Sequence, residues 1–278
     1  MTRASITSTI FLVLAVLYQS AQALEISSSE AEGLIILSGE IVEGDFVRLK
    51  QFVSQMNELP SGIGVMDVSG GLVTEALEIS EFISGSLLPV FIGGTCASAC
   101  VFLVMAAQER YASPFSDGKI MLHRPFFEPG YFSSLSMSES AAEYEKLENR
   151  IEEFFEERKI PQSIRDALFD VPSNQGMLLA TDTFLSRIGE RHRPYEEWII
   201  ASCGHLELSK IEKDDLERMY FASKISEKLS GEKIPFENLH DLDRFNFLLD
   251  KQIAYSSCRQ DSVREEQARF FREVNTGQ

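Results

Sequence analysis

Basic residues are scarce in this chain. Its 278 residues include 26 Lys and Arg against 43 Asp and Glu, a formal charge of −17. That balance argues against nucleic acid and anionic lipid as partners, since both are held by clustered cations. Cysteine is sparse too, with four in all, and no second Cys or His pair lies near any of them at zinc spacing. No metal and no cofactor is therefore expected. Beyond Ala23 no apolar run approaches the ~20 residues that cross a bilayer, so no membrane span is expected in the mature chain. What remains is ordinary globular material: 44% hydrophobic and 25% charged. The length suits one large domain, or a domain with an appendage, and either buries a real core.

The N-terminus reads as a leader. Arg3 is the only charge before Glu25, Ile10–Leu17 is apolar, and Ala21-Gln22-Ala23 is a small-x-small cleavage signature. This is the three-part pattern of a secretory signal peptide. Residues 1–23 are assigned to it, and a periplasmic or secreted mature protein from Leu24 is expected. In an oxidising compartment the four cysteines favour bridges. Cys203–Cys258 is the preferred pair, tying down the C-terminal tail. Cys96 and Cys100, four apart, form either a short bridge or two buried thiols.

Strand and helix patterns then alternate. Residues 34–42 read as a strand and 44–57 as a helix, with Phe46, Leu49, Phe52, Val53 and Met56 on one face. A strand at 63–68 closes on Ser69-Gly70-Gly71, and a helix follows over 72–84. A strand at 88–92 is broken by Gly93-Gly94, and 97–107 is a buried helix. A strand at 119–123 ends at Arg124-Pro125. The alternation predicts an α/β fold with a mostly parallel sheet. A Glu-rich amphipathic helix is expected over 138–159, with Tyr144, Leu147, Ile151, Phe154 and Phe155 on its apolar stripe. Pro161 starts a shorter helix, and 178–189 reads as strand, turn and helix. The division expected is a main domain over 24–204 and a charged helical extension over 205–278.

Three local patterns bear on chemistry. In Gly94-Thr95-Cys96-Ala97-Ser98-Ala99-Cys100 a serine stands between a strand and a buried helix, where free amides favour developing negative charge. Taken alone, Ser98 is an ordinary helix cap. Gly70-Gly71 can present amides to a carbonyl, or simply turn the chain. His123 ends an apolar strand at the sheet's carboxyl edge, where open α/β sheets bind ligands, and a neutral imidazole there can take a hydroxyl proton. His192, His205 and His240 are read as surface residues.

The order of these pieces resembles the proteolytic subunit of the Clp protease, ClpP, within the ClpP/crotonase superfamily. The stretches that carry the resemblance are LIILSGEI, MDVSGGLVTEAL, PVFIGGTCASACVFLVMAA, ERYASP and KIMLHRP, spanning 34–127, with Ser98 and His123 25 positions apart. The resemblance implies a ClpP/crotonase-like ββα superhelix, with the Glu-rich helix in the place of the family's protruding handle. It implies Ser98 as nucleophile, His123 as general base, and an oxyanion hole from the Gly70-Gly71 pair and the Ala99 amide. For the acid two registers fit. In one, Asp182 of Thr181-Asp182-Thr183-Phe184-Leu185-Ser186 matches the family's D-x-F-[LM]-S pattern. In the other, which keeps the spacing to Gly189, Met177 takes the acid's place and Asp182 caps a helix. Two departures stand out: Ser69 replaces the proline usual before the glycine pair, and cysteines flank Ser98.

The function expected from this resemblance is an exported serine hydrolase, a peptidase acting on peptides or unfolded protein segments, with self-association into a homo-oligomer. An exported chain has no access to a cytosolic unfoldase. The alternative is a catalytically inactive binding or assembly protein on the same fold. A crotonase-like thioester enzyme is disfavoured by export, and a Ser-Lys dyad by the placing of Lys119 at the far end of its strand from His123.

Overall fold

The computed structural model describes residues 23–29, 33–113, 117–127, 130–206 and 242–276. The leader read from the sequence lies outside them except for Ala23, as do His240 and most of the region 205–241.

Seven strands form one sheet: β1 (Glu25–Ser29), β2 (Leu34–Ile41), β3 (Gly62–Gly71), β4 (Val90–Ala97), β5 (Arg110–Ala112), β6 (Lys119–Leu122) and β7 (Met177–Ala180). Their order is β1-β2-β3-β4-β6-β7, with β5 also pairing with β4. The pairs β2–β3, β3–β4, β4–β5 and β4–β6 are parallel. The outer pairs β1–β2 and β6–β7 are antiparallel. The mostly parallel α/β architecture expected from the alternation is therefore present. Strands β1 and β5 carry too little pattern to be read in advance.

Eight helices occur among the described residues. They are α1 (Asp45–Ser54), α2 (Val73–Ser86), α3 (Cys100–Ala106), α4 (Met137–Glu157), α5 (Gln162–Asp170), α6 (Thr181–Ile188), α7 (Arg193–Cys203) and α8 (Leu242–Thr276). Helix α1 buries Leu49 and Val53, the centre of its predicted stripe. Every residue of α3 is buried, as an all-apolar helix must be. It lies against α2, and Phe102 meets Phe154 of α4 edge-on at 5.4 Å. Helix α4 starts on a capping box in which Ser136 and Glu139 satisfy each other's backbone amides. Its apolar stripe buries Ile151, Phe154 and Phe155. Helix α8 packs along α1, α2 and α7. Its Phe270 ring seats on Gly85, where a Cβ would come within 2.5 Å of the ring.

Two boundaries differ from the sequence reading, and both bear on the site. Strand β3 does not stop before the glycine pair but runs through Gly71, because Gly70 and Gly71 still pair with Glu40 and Ile41 of β2. Likewise Gly93-Gly94 does not end β4. Gly94 takes φ +65° and the strand continues to Ala97, with Cys96 paired to Val68 on one side and Ile120 on the other. The chain turns at Ser98 instead.

Candidate active site

Four of the predicted residues, Gly70, Ser98, Ala99 and His123, lie at or just beyond the carboxyl ends of β3, β4 and β6. Strand β4 ends at Ala97, Ser98 forms the bend, and α3 begins at Cys100. Ser98 has φ +54°, one of four non-glycine residues with positive φ among the described residues. A non-glycine residue pays a steric cost in this region and stays there only if its surroundings determine it. Its amide donates to Met121 O at 2.9 Å, which ties the bend to β6. On the other side Gly70 leaves room for it: a Cβ there would stand 2.6 Å from Ser98 Cβ and 3.2 Å from its Oγ. Upstream, Asp67 sits at a register shift in β3, and its Oδ1 accepts from Thr95 N at 2.8 Å.

The amides needed for an oxyanion cradle lie beside this serine. Val101 N donates to Ser98 O at 3.0 Å and Phe102 N to Ala99 O at 3.2 Å, so the helical ladder starts after Ala99. The Ala99 amide thus precedes the first intrahelical bond, as the opening donors of a helix do. Gly70 abuts Ser98, whereas Gly71 packs against β2, where a Cβ would fall 2.0 Å from Ile41 O.

His123 follows the last residue of β6. The register Thr95↔Lys119, Cys96↔Ile120 and Ala97↔Met121 carries the ends of β4 and β6 forward together. Ser98 and His123 therefore leave adjacent parallel strands at the same edge. The His123 side chain is half-buried, and its Nδ1 lies 3.1 Å from Arg124 O. A carbonyl only accepts, so in the neutral ring Nδ1 carries the proton and Nε2 the lone pair. That is the tautomer a general base requires. Among the described residues no hydrogen bond joins Ser98 Oγ to the imidazole. The Phe126 ring lies 5.9 Å from the imidazole.

Asp182 is elsewhere. It is exposed in the first turn of α6, after Ala180, and Ala180 pairs with Lys119 at the opposite end of β6 from His123. Four residues of strand separate the two ends, about 13 Å at the usual rise. The structure therefore does not bring Asp182 behind the imidazole. Antiparallel pairing instead sets Met177 opposite Leu122, next to His123, which is the arrangement of the second register. The Arg124 carbonyl that meets Nδ1 carries no sequence signal, since any residue supplies a carbonyl.

All four cysteines are bridged, as Cys96–Cys100 and Cys203–Cys258. The second pair was the expected one, and the first resolves the alternative left open between bridge and thiols. His192 is half-buried rather than on the surface, with Nε2 3.0 Å from Arg158 O. Among the described residues no group of acids, His or Cys could hold a metal, and no helix is long and apolar enough to cross a membrane.

The Clp protease family model matches residues 54–175. A solved structure of a point mutant of ClpP1 from Listeria monocytogenes is similar at 20% identity and a TM-score of 0.42, over 57% of this chain and 89% of that one. No curated protein matches. The stretch 54–175 holds the glycine pair, the serine bend and His123, and over it this chain is similar to the Clp protease family.

Proposed function

We propose that the protein is an exported serine hydrolase, acting as a peptidase through Ser98 and His123. The observation that carries this reading is the left-handed Ser98 at the end of β4, wedged against Gly70 and held to β6, the neighbouring strand that leads into His123. In the reaction Ser98 Oγ attacks the scissile carbonyl carbon as its proton passes to His123 Nε2. The carbonyl oxygen becomes the oxyanion and lies against the Ala99 amide and the glycine-pair backbone. His123 returns the proton to the leaving amine, and the peptide C–N bond breaks to leave an acyl-Ser98 ester. Water, deprotonated by the same imidazole, then releases the acid and restores the hydroxyl. The Arg124 carbonyl holds Nδ1–H throughout, the role a carboxylate plays in a triad, with a weaker pull on the imidazolium.

Export is supported by the leader pattern and by the two bridges. The test takes the protein from the exported fraction of an expressing cell and treats it with a fluorophosphonate probe. The expected result is a labelled chain beginning at Leu24, and no label on Ser98→Ala of unchanged melting temperature. A folded wild-type chain that takes no probe would overturn the hydrolase reading.

The second reading is a non-catalytic binding protein on the same fold. One observation favours it: among the described residues no carboxylate hydrogen-bonds His123. It expects the same probe to leave the folded protein untouched.

A further inference from the structure

The serine bend has a covalent closure that the chemistry above does not use. Cys96 lies on β4 and Cys100 opens α3, and their bridge spans only Ala97-Ser98-Ala99, with Cα atoms 5.4 Å apart. Both cysteines are fully buried. Within those three residues the chain passes from strand to helix, through Ser98 at φ +54°.

The non-covalent contacts at this bend are unevenly placed. Asp67 holds Thr95, Met121 O holds the Ser98 amide, and Gly70 meets the Ser98 side chain. All three act on the strand side or on Ser98 itself. Toward α3, the bond from Val101 N to Ser98 O is the ordinary start of a helix. A strained residue at such a boundary can relax by letting the helix start slide, which would move the Ala99 amide away from the oxyanion position. The bridge opposes that slide directly, because it fixes the first residue of α3 to the next-to-last residue of β4. The other disulfide joins Cys203 of α7 to Cys258 of α8, two helices that carry none of the candidate site residues.

We infer that Cys96 and Cys100 are positioning residues: their bridge holds Ser98 in its left-handed conformation and keeps the Ala99 amide in register with the hydroxyl. The inference rests on Ser98 being the nucleophile only for its effect on rate. The hold on the bend stands apart from catalysis.

The test compares the full-length wild type with Cys96→Ala/Cys100→Ala and with Cys203→Ala/Cys258→Ala. Two quantities are read at a temperature where all three are folded: amide hydrogen exchange over 96–101, and the rate constant of fluorophosphonate acylation at saturating probe. Loss of the elbow bridge is expected to speed exchange at the bend at least tenfold. It should slow acylation at least tenfold, with little change in the probe concentration giving half the maximal rate. Loss of the other bridge is expected to lower the melting temperature while leaving both readouts within twofold of wild type. Bend exchange and acylation unchanged in Cys96→Ala/Cys100→Ala would overturn the inference. So would equal effects from the two double variants, because the bridge would then be acting only on global stability. If the elbow variant does not fold, Cys203→Ala/Cys258→Ala serves instead, since its sole bridge is Cys96–Cys100. Dithiothreitol reduces that bridge to two thiols and is itself oxidised to its cyclic disulfide, and the same readouts are compared before and after. A wild type that takes no probe, with bend exchange that still rises on losing the bridge, keeps this inference and removes the hydrolase reading. Labelling that ignores the bridge, with unchanged exchange, does the reverse.

Discussion

An added Cβ at position 70 would lie 2.6 Å from Ser98 Cβ and 2.9 Å from Ala97 O, at a residue whose φ is +103°. Both the space and the backbone conformation therefore demand glycine there. Gly70→Ala is expected to cost about 2 kcal/mol of stability, from backbone strain and displacement of the bend. It should also abolish probe labelling in whatever fraction stays folded. Urea unfolding and labelling on the same sample check both. A Gly70→Ala protein with wild-type stability and labelling would mean that the close contact with Ser98 is not maintained in solution. Gly70 was legible in the sequence as half of a pair following a strand. Its actual task, making room for the serine, was not, because the partner is 28 positions away and meets it only through β3–β4 pairing. The same holds for His123: its place at a strand end is readable, but the carbonyl that orients it is not.

The C-terminal helix α8 is anchored by aromatic packing on α2. Phe82 meets Phe270 at 5.4 Å and Phe271 at 6.1 Å, in edge-on arrangements, and Phe271 is 4% exposed. A second tie runs to β5 and its neighbourhood. Glu109, nearly buried, accepts from Tyr111 Oη at 3.0 Å and pairs with Arg259 of α8. Removing the Phe271 ring leaves a cavity against α2 that neither helix can close without moving, so Phe271→Ala is expected to destabilise by about 3 kcal/mol. None of the candidate site residues lies on α8 or α2, so probe labelling of the folded fraction should persist. Chemical denaturation with parallel labelling tests this, and a loss below about 1 kcal/mol would place Phe271 outside a well-packed core. Helix α8 was expected only as a charged extension. Its apolar contacts come from Phe270 and Phe271, two residues in a strongly charged stretch, and their partners lie on α2, far back in the chain.

Across the whole molecule the excess of acid makes the few buried basic groups informative. His192 is held below its ordinary value of 6.5, first by burial and then by the charge of Arg110. Arg158 and Lys159 push the same way, against a favourable bond to the Arg158 carbonyl. The folded state therefore binds this proton less readily than the unfolded chain. Stability from a neutral His192 is present in full above about pH 6.5 and is lost as the pH falls through that value toward the lower folded pKa. His192→Gln removes the titration while keeping a donor for the carbonyl. The urea midpoint of wild type should drop between pH 7.5 and 5.5 by more than that of the variant. Equal drops in the two proteins would show that His192 is not held neutral by the fold. Arg110 adds to the same picture. It is 1% exposed and burial pulls its pKa down to about 10, while Nε and Nη1 have no partner among the described residues.

Local chemistry determines much of this protein. Alternating period-2 and period-3.6 apolar patterns set the order of strands and helices along most of the main domain. Scarce cations argue against a nucleic-acid partner, and the glycine pair, the serine and the histidine stand in order along the chain. These features depend on neighbours within a few residues, which a sequence displays directly. Register, termini and distance were decided only by the folded chain. Asp182 fits a motif as a string, yet antiparallel pairing of β7 with β6 sends it to the Lys119 end and sets Met177 beside the site. The bend falls at Ser98 and not at Gly93-Gly94, because β3 keeps pairing with β4 as far as Cys96 and β6 as far as Ala97. Such outcomes follow from pairing between segments remote along the chain, and no local window of residues contains the partners that set them.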